Sequence, residues 1–268
     1  MRAAIVSDVH GNIRGLDACL ADLAEQGGAD VIVGAGDYCM DGPRPREVLA
    51  RLDEIGARCV RGNTDRYIIG DDQAEHFAAG DEAEKQASAR IVQPHLGVSV
   101  AGDETEAQAF AWQREQLGAE WLEHLRNFPF ALRIGSEGNE LLVVHANPQN
   151  DEEHLWPDAD DAFLTRMTAG VPERTIAFGH LHLPYVRAWR ERVFVNVASA
   201  GLPKDGDPRV GYAIFTERPG GWEIKHRRVA FDVEKVARQI RKSGMPDAAA
   251  RERVLRRHRY KELGERIP

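Results

Sequence analysis

Met1-Arg-Ala-Ala-Ile-Val-Ser-Asp-Val-His-Gly-Asn12 is the stretch whose reading decides the fold. Ala3 to Val6 is an apolar run of strand length and composition, and it breaks off at Asp8. Residues i and i+2 of an extended segment point the same way, so Asp8 and His10 can offer a carboxylate oxygen and an imidazole nitrogen to one ion. Gly11 allows a sharp turn, and Asn12 suits the N-cap of a following helix. Asp-x-His alone is a weak signal that two ordinary polar loop residues would also give. Its recurrence down the chain gives it weight.

Past Asn12, Ile13, Leu16, Leu20 and Leu23 recur at helical spacing, and Gly27-Gly28 closes that helix. Asp30 to Ala35 is a second β-branched strand, ending in Gly36-Asp37. A helix from Pro45 through Ile55 leads to a third strand, Arg58 to Arg61, which ends in Gly62-Asn63-Thr64-Asp65. Strand, helix, strand, helix, strand, each strand with a polar tip, predicts a βαβαβ unit. Such a unit lines up the carboxyl ends of its strands along one edge, where open α/β sheets place ligands.

Residues 66–127 change character, rich in Ala, Glu and Gln with Phe110, Trp112, Leu117, Trp121 and Leu125 at near-helical spacing. They predict a helical insertion on one side of the core, its aromatics packing helices rather than stacking a base. Strands resume at Phe128–Ile134 and Glu140–Val144, the latter ending in His145. A helix follows at Asp160–Gly170, then a strand at Arg174–Phe178 ending in Gly179-His180-Leu181-His182. Arg187–Trp189, Val193–Val197, Tyr212–Phe215 and Trp222–Val229 read as an antiparallel run, so two sheets packed face to face with helices outside are expected. Helices at about 231–260 finish the chain.

At 268 residues and 43% hydrophobic, without a Pro/Gly/Ser-rich linker, residues 1–268 are expected to form a single domain. Net charge is −8, yet from Lys225 onward 14 Lys and Arg face 6 Asp and Glu. A basic end of this kind fits the solvated faces of amphipathic helices better than a nucleic-acid-binding tail. Cys19, Cys39 and Cys59 have neither disulfide-framework nor zinc-site spacing and read as small buried hydrophobes, which fits a reducing cytoplasm. No apolar stretch approaches the ~20 residues of a membrane span.

Five strand ends thus carry Asp8 with His10, Asp37, Asn63, His145, and His180 with His182. Imidazole and carboxylate donors without cysteine suit Mn, Fe or Zn. A carboxylate between two ions can hold a pair at ~3.5–4 Å, the spacing of phosphoesterases that clamp attacking and leaving oxygens.

In order and spacing, Asp8-x-His10, Gly36-Asp37, Gly62-Asn63-x-Asp65, His145 and Gly179-His180-x-His182 resemble the calcineurin-like metallophosphoesterases. Asn196 and Ser199 to Arg209 look like the stretch that follows in small bacterial phosphodiesterase members. The resemblance runs from Arg2 to about Val229. It implies a four-layer αββα sandwich of two mixed sheets flanked by helices. It also implies two divalent transition-metal ions, manganese foremost with Fe, Zn or Ni as alternatives, and a hydroxide activated between them. One ion would take Asp8, His10, Asp37 and His182; the other would take Asp37 as bridge with Asn63, His145 and His180.

Many relatives carry a histidine after the Gly-Asn pair, taken as proton donor to the leaving oxygen, whereas this chain has Thr64. A hydroxyl can bond a phosphate but is a poor general acid near pH 7. Thr64 and Asp65 are the catalytic candidates; Asp65 reads equally as a helix cap. Asn12 and Arg66 are candidate substrate contacts, and Arg66 reads equally as solvated. His76, His95, His124 and His154 are fallback proton donors; His76, His95 and His124 are each individually more typical of a surface residue. The expected function is a phosphodiesterase acting on a small phosphoester. The alternatives are a dinucleoside polyphosphate hydrolase, a protein phosphatase-like enzyme, and a metal-free scaffold like the retromer branch of the superfamily. The sequence leaves the oligomeric state open.

Overall fold

The computed structural model describes residues 1–70 and 103–259. Strand β1 (Arg2–Val6) pairs in parallel with β2 (Val31–Ala35), and β2 pairs in parallel with β3 (Arg58–Val60). The connections are α1 (Ile13–Glu25) and α2 (Pro45–Glu54), so the first third of the chain is the βαβαβ unit its periodicity predicts. Asn12 caps α1 by accepting the Gly15 N–H at 3.0 Å, and Leu16, Cys19 and Leu23 form its buried stripe. Pro45, whose fixed φ suits a first helical turn, starts α2, which buries Val48, Leu49 and Leu52.

The second sheet collects β4 (Leu132–Ile134), β5 (Leu141–Val143), β6 (Thr175–Phe178), β7 (Tyr185–Trp189) and β8 (Arg192–Asn196) in the order β4-β5-β6-β8-β7. Strands β5, β6 and β8 run parallel, with antiparallel edges at β4 and β7. Strands β9 (Val210–Arg218) and β10 (Gly221–Val229) return to the first sheet, giving the order β10-β9-β1-β2-β3. This corrects the expectation of one antiparallel run after Arg187. The hairpin β9–β10 pairs with β1, while β8 lies parallel to β6, so both sheets are mixed. Local alternation cannot tell a strand which sheet it joins, because either partner buries the same face.

Alternation along β1 makes the layers. Ala3 and Ile5 face the other sheet and pack with Val33, Val60, Val143 and Phe215. Ala4 and Val6 face the helices and pack with Leu16, Leu49 and Leu52. On the far side, Leu142, Ile176 and Phe194 meet Leu164 of α5 (Asp161–Met167), a helix capped by Asp160. Helix, sheet, sheet, helix is the resulting α/β sandwich.

Helix α3 (Asn63–Ile69) opens the region expected as an insertion, and α4 (Asp103–Arg126) closes it; residues 71–102 lie outside the described part. Helix α4 is broken at Gly118 (φ 71°) and packs Leu117 and Leu125 into the core, while Phe110 meets Tyr67 edge-on at 5.8 Å. At the C-terminal end, α6 (Val233–Lys242) buries Val236, Ala237 and Ile240 and pairs with α7 (Ala248–Arg257). Much of the basic end is paired internally: Arg227 with Asp22, Arg228 with Asp205, Arg241 with Glu252, Arg251 with Asp41, and Arg256 with Glu234 and Glu252. Cys19, Cys39 and Cys59 are free and buried. Among the described residues, no helix is long and apolar enough to cross a membrane.

The inter-sheet core sets the fold's stability. Ile5→Ala leaves a cavity there and is expected to cost about 2–5 kcal/mol. Thermal unfolding should record this as a fall of roughly 4–20 °C in Tm. Val186→Ala, at a position 51% exposed on β7, should change stability by no more than ~0.5 kcal/mol.

Candidate metal centre

The carboxyl ends of β1, β2, β3, β5 and β6 meet where the two sheets come together, and each delivers polar side chains. Asp8, His10, Asp37, His180 and His182 all have φ between 48° and 64°. Asp and His are among the side chains that tolerate this left-handed region best, yet each such residue costs on the order of 1–3 kcal/mol. Five together at converging strand ends are held by a dense backbone lattice. The loops after β1 and β2 zip through Asp8 N–H to Gly36 O (2.9 Å), His10 N–H to Asp37 O (3.0 Å) and Gly11 N–H to Tyr38 O (2.7 Å). The Asp65 carboxylate accepts the N–H groups of Asp37 (2.8 Å), Tyr38 (3.0 Å) and Gly62 (3.1 Å). His180 N–H donates across the sheets to Asp8 Oδ2 at 2.9 Å. Gly62 and Gly179 have no room for a side chain: a Cβ would lie 2.2 Å from Asp37 Oδ1 and 1.9 Å from Ser7 Oγ, respectively.

Among the described residues, two groups are arranged as an ion's donors: Asp8, His10 and His182, and Asp37, His145 and His180. In the first, His182 Nε2 lies 3.1 Å from Asp8 Oδ1 and 3.2 Å from His10 Nε2. In the second, His145 Nε2 lies 3.2 Å from His180 Nδ1, 3.4 Å from Asp37 Oδ1 and 3.0 Å from Asn63 Oδ1. Asp37 stands between the groups. Its Oδ1 faces His145, and its Oδ2 is 3.8 Å from His10 Nε2.

The donor set fits divalent ions on the evidence of its proton inventory. A backbone carbonyl only accepts, so each ring's bond to one fixes which nitrogen carries hydrogen. His10 Nδ1 donates to Met40 O (3.0 Å), His182 Nδ1 to Leu202 O, and His145 Nδ1 to Ala35 O (2.8 Å). His180 is reversed, with Nε2 donating to Glu152 O at 2.9 Å. In the neutral rings, the bare nitrogens therefore face one another and the carboxylates at close range. Asp8 Oδ1 is buried without a hydrogen-bond donor among the described residues. Lone pairs gathered this way call for positive charge among them, and a cation satisfies them all.

The electrostatics agree. Burial drives the His10 and His180 imidazolium forms out, keeping both rings neutral donors at pH 7. Burial also raises the Asp37 carboxyl to about 7, with Asp65 and Asp8 adding to the shift against His145. Burial opposes the His145 imidazolium, but Asp37 and Asp8 carry it up to about 9. The cluster thus attracts positive charge.

The other residues singled out from the sequence have these positions. Asn12 spends its side chain within the protein, capping α1 and donating Nδ2–H to Gly201 O at 2.8 Å. Arg66 is buried, its guanidinium held by Asp151 (2.7 and 3.2 Å) and Glu152 (2.5 Å), so it knits α3 to the loop after β5. Asp65 is the backbone clamp described above. Thr64 donates its N–H to Asp37 Oδ1 at 3.0 Å, and its Oγ1 is buried without a hydrogen-bond partner among the described residues. His124 packs edge-on between Trp121 and Phe128, His154 lies 4.3 Å from the His180 ring, and His76 and His95 fall outside the described residues.

Two charged residues at the site escaped the sequence reading. Lys204 is buried; desolvation lowers its ammonium to about 8 against the pull of Asp8 and Asp37. Asp41 places Oδ2 3.9 Å from His10 Nδ1. Lys204 lies within the Ser199–Arg209 stretch noted from the sequence, whereas Asp41 follows β2 with no local signature.

Comparisons with known proteins agree with this geometry. A family model described as "Calcineurin-like phosphoesterase superfamily domain" matches residues 1–219. The crystal structure of a metallophosphoesterase from Sphaerobacter thermophilus superposes with a TM-score of 0.68 at 26% identity, covering 96% of this chain and 99% of that one. A hypothetical protein from Pyrococcus horikoshii OT3 superposes with a TM-score of 0.72 at 20% identity, covering 95% and 97%, and shares the fold. An uncharacterised protein of Methanocaldococcus jannaschii is 25% identical over 262 residues, covering 91% of this chain and 93% of its own length.

Ions in the site should stabilise the folded chain by mass action, about 2.7 kcal/mol per site at a free concentration a hundredfold above Kd. Stripping the purified protein with a chelator is expected to lower Tm by at least ~5 °C, and adding back Mn²⁺ should restore it. An unchanged Tm in differential scanning calorimetry would count against a resident metal.

Proposed function

The chain belongs to the calcineurin-like phosphoesterase superfamily, and from that premise we propose that it is a phosphodiesterase working with two divalent ions, manganese foremost. The observation that carries the two-ion reading is Asp37, whose two oxygens face different donor groups, 3.4 Å from His145 Nε2 and 3.8 Å from His10 Nε2. Asp8, His10 and His182 would hold one ion, and Asn63, His145 and His180 the other, with Asp37 shared. Such ions supply Lewis-acid stabilisation of phosphoryl oxygens and water acidic enough to attack near neutral pH. Retention of all seven donors favours an enzyme over a metal-free scaffold.

The chain's own residues hold and orient. The Nδ1–H bonds of His10, His145 and His182, and the Nε2–H bond of His180, lock each ring with its bare nitrogen inward. Locked rings lose little freedom when the site fills, so the donors are preorganised. The unspent Thr64 hydroxyl, beside Asp37, is available to donate to a phosphoryl oxygen. It does not protonate a leaving alkoxide efficiently. His154 is no substitute: burial, reinforced by Lys204 and the neighbouring histidines, holds its pKa down to about 4, leaving the ring neutral at pH 7. The leaving oxygen therefore departs largely unprotonated or takes its proton from water, which favours acidic leaving groups. The phosphodiester preference further rests on the resemblance of Ser199–Arg209 to the small phosphodiesterases.

Two experiments test this. Asp37→Asn should lower metal content at both sites and remove activity more completely than Asn63→Ala, which touches one site; equal, mild losses in both would contradict a shared carboxylate. General-acid assistance is typically worth ~10²–10⁴-fold. A diester with an aryl leaving group should thus be cut readily and alkyl monoesters poorly, and Thr64→His should gain more on alkyl than on aryl substrates. Similar chemical-step rates on both classes in the wild type would show that another group delivers the proton.

A further inference from the structure

We propose that the C-terminal helix pair α6–α7, which lies beyond the matched residues 1–219, positions the Asp8–His10–His182 donors and leaves the Asp37–His145–His180 donors to the sheets and α3. The inference rests on the two-site reading above and assigns Arg251 as its positioning residue.

The asymmetry lies in what holds each ring. His10 leans on Met40 O, and its neighbour Asp41 (φ 72°) is ion-paired with Arg251 of α7. Arg251 is itself only 11% exposed and donates Nε–H to Pro246 O at 3.1 Å, so the guanidinium is fixed from both sides. His182 leans on Leu202 O, and Leu202 is packed into the apolar seam of Val236, Ala237, Ile240, Met245 and Leu255. The same loop is tied to the residues just after α7 by Gly206 N–H to His258 O and an Asp205–Arg259 bridge. Both carbonyls behind the first group are thus braced by the helix pair. Behind the second group, His145 leans on Ala35 O at the end of β2, and His180 leans on Glu152 O in the loop that Arg66 holds. No residue of α6 or α7 takes part in those bonds.

Partners behind a metal-binding histidine orient the ring, and losing them typically costs 10–100-fold in metal affinity. Without Arg251, the Asp41 carboxylate loses its counter-charge while 3.9 Å from His10 Nδ1. It then competes with Met40 O for that N–H and turns the ring.

The test is a Co²⁺ titration of the full chain after chelator treatment, following the visible d–d absorption and competition with a chromophoric chelator. Wild type should take two ions. Arg251→Met should weaken one binding step about 10–100-fold with the other unchanged. Arg251→Lys, which keeps the charge, should recover most of the loss. Ile240→Val trims the packing against Leu202 without removing a charge and should weaken the same step to a smaller degree. Asn63→Ala should weaken the step that Arg251→Met spares, which identifies the two. A wild type with two ions in which Arg251→Met shifts both steps alike, or neither, overturns the bracing and leaves the two-site reading standing. A wild type that takes a single ion overturns both.

Discussion

Four imidazoles, two carboxylates and an amide oxygen share one buried volume, with their bare nitrogens and oxygens turned toward each other. One N–H of each ring is directed outward to a backbone carbonyl: Met40, Leu202, Ala35 and Glu152 each take one. Crowded lone pairs and negative charge oppose this arrangement, and positive charge among the donors relieves it. The rest of the structure around it reads as the means of keeping such a cluster folded.

Those means are mostly backbone. Asp8, His10, Asp37, His180 and His182 sit in left-handed conformations that a free loop would abandon. They stay because the loops after β1 and β2 are zipped by three N–H to carbonyl bonds and because Asp65, fully buried, gathers three further N–H groups. Burial raises the Asp65 carboxyl to about 6 while those same donors pull it down, so the clamp is strongest with the carboxylate ionised. Arg66 does the equivalent for the loop carrying Asp151 and Glu152, where a bidentate guanidinium ties α3 to the His180 acceptor. Side chains that look from their position like candidates for substrate contact are thus engaged in holding the donor loops. The Thr64 hydroxyl, buried and without a hydrogen-bond partner among the described residues, is the exception.

How far the sequence could be read depended on whether the signal was local. The first βαβαβ unit was legible because Ala3 to Val6, the Leu16–Leu20–Leu23 stripe and Asp30 to Ala35 each carry their own periodicity. The donors were legible because they fall at the tips of those strands, where apolar runs stop at Asp or His. Sheet membership of β9 and β10 was not: an alternating strand satisfies either sheet, and only the pairing of Ala3 with Phe215 places the hairpin beside β1. Asp41 and Lys204 were invisible as site residues for a similar reason, since burial and proximity to His10, Asp8 and Asp37 have no signature along the chain.

By itself, then, the sequence determined the first βαβαβ unit and the identity of the polar strand tips, because both follow from patterns spanning a few consecutive residues. Only the tertiary structure decided which way each imidazole carries its proton and which oxygen of Asp37 turns to which group, whereas the grouping of the donors was already implied by the family resemblance. Those outcomes depend on carbonyls and carboxylates that are distant along the chain and brought within 3–4 Å by the packing of two sheets: Ala35 lies 110 residues from His145, and Asp8 lies 172 from His180.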